Sequence, residues 1–341
     1  MATPTMNRPN PERIFNTLSA YQQSAALKAG IELDIFTAIG EGANTAALLA
    51  AKTRAAERGV RIICDYLTIL GFLTKEGGRY ALTPDSAVFL DRRSPACIAS
   101  MADFMCSEGI QQNFGALTEA VRKGGTASDR GDNTKPQDEM WVTFARTMAP
   151  LAIPSAEFIA QMTGATQGKE CKVLDIAAGH GMYGITVARR NPKAKIVALD
   201  WPSVLEVARE NAKKFGVADR YSTRPGSAFD ADFGIGYDFV LLTNIFHHFD
   251  KPTCVKLMRR VHTALKPGGR AITAEFVPNE DRVSPPAAAG FSLAMLAGTD
   301  AGDAYTLSEY EKMFGNAGFA KTTLQQIPDT PQQVLVSEKA E

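Results

Sequence analysis

Over residues 14–29 the apolar positions return every three to four residues, the period of an amphipathic helix. The same spacing predicts helices over residues 34–39, 44–53 and 58–70, the last with Val60, Ile63, Leu67 and Leu70 on one face. The pattern then shortens to strand type. Residues 72–75 and 79–83 flank Glu76-Gly77-Gly78, which reads as a β-hairpin. Helices followed by a small hairpin predict a winged-helix domain over residues 1–98.

Residues 99–166 read as a helical linker, interrupted by a loop rich in Gly, Asp, Asn, Ser and Thr at 124–139. Apolar and aromatic residues flank that loop: Phe104, Met105 and Phe114 before it, then Met140, Trp141, Phe144 and Met148. From Lys172 the texture changes. KVLDIAAG, KIVALD, YDFVLLTNI and RAITAEFV read as buried strands. Between them SVLEVARENAKKFG and TCVKLMRRVHTALKPGG read as helices. Such alternation predicts a doubly wound α/β domain with a parallel sheet over residues 167–341. TLSEYEKMFGNAGF adds a late helix, and TTLQQIP with QQVLVSEK an edge hairpin.

Composition narrows the function classes. The 341 residues are 45% hydrophobic and 22% charged, with a formal net charge of zero. That balance gives a polyanion no reason to bind. Residues 1–100 carry eleven Lys/Arg against nine Asp/Glu, and the helix before the hairpin has no basic cluster. The N-terminal domain therefore reads as a dimerisation module rather than a DNA reader. Five scattered cysteines without a C-x-x-C pair point to reduced thiols and a cytoplasmic setting. No apolar run suits a membrane span, and neither H-E-x-x-H nor a His/Cys cluster suggests a metal.

The turn after the first strand, VLDIAAGHGMYG, holds Gly179, Gly181 and Gly184 as G-x-G-x-x-G. Glycines there let the backbone approach a ligand at a helix N-terminus. Asp200 closes the next strand, where a carboxylate can take two ribose hydroxyls. These features alone fit NAD as well as S-adenosylmethionine. Asp175, before the glycines, opposes a pyrophosphate and suits a ligand bearing an ammonium. LKPGGR, leading from a helix into a late strand, resembles a turn of class I methyltransferases.

With these motifs the chain resembles the small-molecule O-methyltransferases of the caffeate and hydroxyindole type, including bacterial secondary-metabolism relatives. Nearly the whole chain is covered. DWPSV (residues 200–204) is similar to the family's D-L-P-x-V, and GSAF (residues 226–229) to its G-D-M-F. The resemblance implies S-adenosylmethionine as cofactor, held by Asp175, Gly179, Gly181, Asp200, Trp201, Ser227, Ala228, Phe229 and Asn244. It departs at Ala177 and Ala178, where the family has glycines, and at Ser227, where it has an aspartate.

Methylation of a hydroxyl needs placement beside the methyl carbon and removal of a proton. His247-His248-Phe249 stands where the family carries H-D-W, which implies His247 as base. Glu275, in TAEF and 28 residues on, matches the glutamate that orients it. The family's third acidic residue falls at Ala304, beside Asp303. His180 is expected as a cofactor-side contact or a solvent-facing loop residue, and His262 as structural. Met148, His248, Phe291 and Met295 are the implied acceptor pocket. The expected activity is O-methylation of an aromatic or polyketide-like small molecule by a homodimer. The alternatives are C- or N-methylation without a base, an NAD-dependent oxidoreductase, and a winged-helix regulator that senses S-adenosylmethionine.

Overall fold

The computed structural model describes residues 9–135 and 139–341. It divides into two compact units, Met1–Cys106 and Ser107–Glu341.

In the first unit α1 (Glu12–Leu18) and α2 (Tyr21–Glu32) replace the single helix predicted over 14–29. The break falls at Ser19, whose hydroxyl donates to the Phe15 carbonyl at 2.8 Å and so competes with the helical ladder. Then come α3 (Ile35–Gly40), α4 (Ala46–Thr53) and α5 (Glu57–Ile69). Thr45 caps α4 by accepting from the Leu48 amide. The predicted hairpin is present as β1 (Leu73–Glu76) and β2 (Arg79–Leu82). Its turn residues Gly77 and Gly78 have φ of +53° and +78°, the left-handed pair that suits a two-residue hairpin loop. Helices α6 (Pro84–Phe89) and α7 (Met101–Met105) complete the unit. Its core gathers Ile35, Phe36, Leu49, Val60, Cys64, Leu67 and Leu73.

The second unit begins with α8 (Glu108–Gly115), α9 (Leu117–Lys123) and the long α10 (Glu139–Met162). It continues through β3 (Cys171–Ile176), α11 (Met182–Arg190), β4 (Ala194–Asp200), α12 (Pro202–Lys214), β5 (Tyr221–Pro225) and β6 (Tyr237–Thr243). After these come α13 (Lys251–Ala264), β7 (Leu265–Glu275), α14 (Pro286–Gly298), α15 (Leu307–Asn316), β8 (Lys321–Gln326) and β9 (Gln333–Glu338). The seven-stranded sheet runs β5-β4-β3-β6-β7-β9-β8. The first five strands are parallel and β9 and β8 antiparallel.

Both faces of this sheet are covered, which is why its central strands read as continuous apolar runs. Alternate residues go to opposite sides. Val173, Leu241 and Ile272 join Ile159 of α10, Ile185 of α11 and Leu205 of α12. Leu174, Val240 and Leu242 join Leu257 of α13 and Phe314 of α15. The order reverses between β3 and β6, so the carboxyl ends of these strands flank a crevice, the usual ligand site of open α/β sheets.

Two expectations need correction. β5 was not anticipated: YSTRP is short and mostly polar, and only Tyr221 is well buried. YDFVLLT is therefore the fourth strand of the sheet in chain order. LKPGGR is not a turn that precedes its strand. It lies inside β7, and the pairing with β6 jumps from Tyr237↔Leu265 to Phe239↔Arg270, so the intervening residues loop out. Gly268, at φ +67°, takes the bend.

Candidate active site

Each motif glycine is required for a separate reason. Gly179 has φ +57°. A Cβ there would meet only the Ala177 carbonyl oxygen, at 3.9 Å, which leaves room for a ligand to approach the backbone. Gly181 combines φ +74° with a hydroxyl in the way, since a Cβ would lie 2.5 Å from Tyr221 Oη. Gly184 is ordinary helix, but a Cβ would stand 2.7 Å from Ile196 Cγ2, so it sets the closeness of α11 to the sheet. Ala177, in the position of a family glycine, nevertheless adopts φ +54°.

Asp200 ends β4 with both oxygens held, Oδ2 by the Gly179 amide at 2.8 Å and Oδ1 by the Trp201 amide at 2.7 Å. Burial pushes its pKa up to about 6 despite these two donors. Asp175 is fully buried at the end of β3. Its Oδ2 accepts from the Gly184 amide at 3.1 Å, and Oδ1 has no partner among the described residues. Burial raises its pKa to about 8, with one backbone donor opposing the rise and the nearby Asp200 adding to it. His180 is not the solvent-facing residue that its loop position allowed. It is 5% exposed, its Nδ1 accepts from the Met182 amide at 3.1 Å, and burial lowers its pKa to about 4. The imidazole thus caps the first turn of α11 in its neutral form.

Farther along the edge, Ser227 Oγ accepts from the Phe229 amide at 3.1 Å, so it shapes its own turn. Ala228 and Phe229 pack on the apolar layer of α13 and α15. Phe229 meets Phe249 edge-on at 4.9 Å. Trp201 packs with Trp141, Val142 and Ala145 of α10 against Val204 and Val207 of α12.

His247 follows β6 and is 3% exposed; Glu275 ends β7 and is fully buried. His247 Nδ1 donates to Glu275 Oε2 at 2.5 Å. The other oxygen, Oε1, accepts from the Ile245 and Phe246 amides at 2.9 and 2.8 Å. Carboxylate oxygens only accept, so Nδ1 carries the proton of this bond and Nε2 is the ring nitrogen turned away from Glu275. Phe291 meets the His247 ring edge-on at 4.8 Å and stacks on Phe276 at 4.0 Å. His248 is close beside it, with ring centroids 4.3 Å apart, and Trp141 lies edge-on to His248 at 5.2 Å. Burial and the His247 neighbour hold the His248 pKa well below its ordinary value, and its Nδ1 is buried without a partner among the described residues.

The aromatic residues Trp141 and Phe291 thus bracket the two histidines. Met295 is buried on α14 with Phe291, and Met148 lies half-buried on α10. Position 304 offers no acid: Ala304 is fully buried, and Asp303 is turned to Arg282, 3.0 Å away. His262 is edge-on to Phe319 at 5.2 Å, away from these groups. Among the described residues no group of three or more His, Cys, Asp or Glu forms a metal-ligating cluster.

One polar chain escaped the sequence reading. Asn244, at φ +58° after β6, accepts at Oδ1 from Gln332 Nε2 at 2.5 Å. Gln332 Oε1 accepts in turn from Ser155 Oγ of α10 at 3.1 Å. These contacts span 88 and 177 residues of chain and carry no local pattern.

A family model for an O-methyltransferase domain matches residues 159–320, and one for an O-methyltransferase dimerisation domain matches residues 15–92. A solved structure from Nostoc punctiforme, assigned as an O-methyltransferase, is 50% identical with a TM-score of 0.93, covering 98% of this chain and all of that one. Two Streptomyces enzymes are each 26% identical. An L-tyrosine C(3)-methyltransferase of Streptomyces lavendulae matches over 94% of this chain and 90% of its own. A 3-hydroxy-5-methyl-1-naphthoate 3-O-methyltransferase of Streptomyces sahachiroi matches over 90% and 89%.

Proposed function

Since the chain belongs to the O-methyltransferase family, whose members are dependent on S-adenosylmethionine, we propose that it O-methylates a phenolic hydroxyl of a small aromatic or polyketide-like acceptor. The observation that carries this reading is the His247–Glu275 pair at the carboxyl edge of the sheet, with its 2.5 Å hydrogen bond.

The residues at the β3 and β4 ends fit the cofactor. Open space above Gly179 leaves room for backbone approach, and Asp200 stands where ribose hydroxyls can donate to it. Asp175 Oδ1, buried and unpartnered, is a complement for an ammonium. Gly181, Trp201, Ser227, Ala228, Phe229 and Asn244 complete the proposed contacts. When bound, S-adenosylmethionine supplies an electrophilic methyl group. This chain's own work is then to hold the acceptor in line and take its proton at His247 Nε2. Glu275 fixes the tautomer and favours the imidazolium that results. Phe291, Met295, Met148 and His248 shape the acceptor space, the aromatic faces suiting a planar ring.

Ala304 favours a second reading. Without a third acidic residue at that position, methylation of carbon or of an already ionised oxygen needs less of His247, and one Streptomyces relative is a C-methyltransferase.

We also propose a homodimer formed mainly through the N-terminal helices. Ile14, Phe15, Leu18 and Tyr21 are each more than 60% exposed on α1 and α2, an apolar surface that a partner would cover. The expected division at 1–98, 99–166 and 167–341 stands with it as a proposal. No helix among the described residues is long and apolar enough to cross a membrane.

Calorimetry with S-adenosylhomocysteine and NAD, followed by turnover on a panel of phenols, tests the chemistry. Binding of the former alone and methyl transfer to oxygen support the proposal; tighter binding of NAD overturns it. Light scattering that shows a monomer removes the dimer.

A further inference from the structure

The Ser155–Gln332–Asn244 chain has no part in the proton transfer, yet it is aimed at the site. Asn244 sits at the carboxyl end of β6, between the glycine loop that follows β3 and Glu275 at the end of β7. Its amide is bonded to the Ala274 carbonyl at 2.9 Å, which fixes the backbone. The first turn of α11 faces it, where the buried Tyr183 neighbours Asn244 and Ser155. Asn244 thus looks toward the glycine-loop side of the crevice.

A primary amide has one accepting end and one donating end. The Ser155 hydroxyl donates to Gln332 Oε1, so Gln332 Nε2 is left to donate to Asn244 Oδ1. That occupies the oxygen of Asn244 and leaves its two N–H donors for Tyr183 and for the crevice. Gln332 is itself secured, because Gln326 Nε2 donates to its carbonyl at 3.2 Å across the β8–β9 loop. Ser155 is 1% exposed and cannot exchange this bond for water.

We infer that Gln332 is a positioning residue for the cofactor: it sets the amide orientation of Asn244 so that the NH₂ donates to the carboxylate of the bound amino-acid tail. This rests on the functional reading above. The orientation is determined from α10 and from the C-terminal hairpin, two elements far from the glycine motif in sequence.

The test is the equilibrium binding of S-adenosylhomocysteine to the full chain by calorimetry, with thermal unfolding recorded on each variant. Gln332→Glu presents only acceptors to Asn244 and so turns its oxygen outward. Gln332→Leu merely releases it. The expected losses are about tenfold for Gln332→Glu and about threefold for Gln332→Leu, the scale of one hydrogen bond gained or lost. A packing role predicts the opposite order, because leucine strands both neighbours. Asn244→Ala separates orientation from the added charge. In that background Gln332→Glu costs nothing further if it acts through Asn244, whereas direct repulsion of the ligand persists. Equal affinity of wild type and Gln332→Glu, a larger loss for Gln332→Leu, or an undiminished loss in the Asn244→Ala background each overturns the inference. Failure of the wild type to bind S-adenosylhomocysteine overturns the functional reading on which it rests.

Discussion

Asp175 and Glu275 end the strands on either side of β6, and both are fully buried, but their surroundings differ. Glu275 accepts three hydrogen bonds, from two backbone amides and from His247. Asp175 accepts one and leaves Oδ1 bare. A buried carboxyl with both oxygens engaged is a rigid fixture, and here it aligns an imidazole. One with an empty oxygen carries a desolvation cost that a ligand can relieve. The His247–Glu275 pair on the acceptor side is therefore aligned by the protein alone. The cofactor side is finished by what binds there.

The strongest way to break this contrast is at the completed pair. His247→Ala is expected to lower turnover about 10²–10⁴-fold while S-adenosylhomocysteine affinity stays near wild type. Retention of most activity in a steady-state assay would shift the assignment to carbon methylation or an ionised acceptor. Glu275→Gln keeps the shape and the Ile245 and Phe246 contacts, but it offers an amide to Nδ1. It should cost less, about 10–100-fold, as when the partner that orients a histidine is altered. His248→Ala should cost least of the three, and a rank order from the same assay decides.

How much of this was legible beforehand depended on chain distance. The glycine motif, Asp175 and Asp200 lie within one βαβ stretch, where spacing alone places a ligand loop. His247 and Glu275 were paired through family spacing, and their 2.5 Å contact is in the structure. What stayed hidden was set by tertiary context. β5 is a short polar edge strand, so neither run length nor alternation marks it. The helix over 14–29 reads as one because helical spacing crosses Ser19 unbroken, while the side-chain bond that ends α1 is a local competitor. LKPGGR looks like a turn because it does loop out, but β7 already begins at Leu265. The Gln332 contacts have no signature at all, since amide partners far apart in sequence obey no period.

On the cofactor side, Asp200→Ala is expected to weaken S-adenosylhomocysteine by about 1–3 kcal/mol, the range for hydrogen bonds to a charged acceptor. Calorimetry measures it, and unchanged affinity would move the ribose elsewhere. Asp175 sharpens the contrast through pH. Its native pKa of about 8 lies above the ordinary carboxyl value, so the folded state binds the extra proton. Stability is then lost as pH rises from about 4 toward 8, with a slope of at most about 1.4 kcal/mol per pH unit. Asp175→Asn should flatten this slope in urea titrations without ligand. An identical pH dependence in the variant would mean that the bare oxygen is satisfied in solution.

The smallest effect tests whether the cofactor loop itself is strained. Ala177 follows β3 at φ +54°, a region where Cβ crowds the carbonyl and where glycine is at ease. Glycine has a countervailing disadvantage, because its unfolded chain is freer by about 0.5–1 kcal/mol. Relief of left-handed strain is worth about 1–2 kcal/mol, so Ala177→Gly should stabilise the protein by about 0.5–1 kcal/mol in net terms. Denaturant midpoints at unchanged slope measure this. Turnover should not move, because the backbone path is already the one that glycine prefers. A destabilised Ala177→Gly would mean that the methyl packs well enough to offset its conformation. Ala177 does touch the apolar layer beneath it. In that case the loop is held by packing from below, and the unfinished character of the cofactor side resides in Asp175 rather than in the loop.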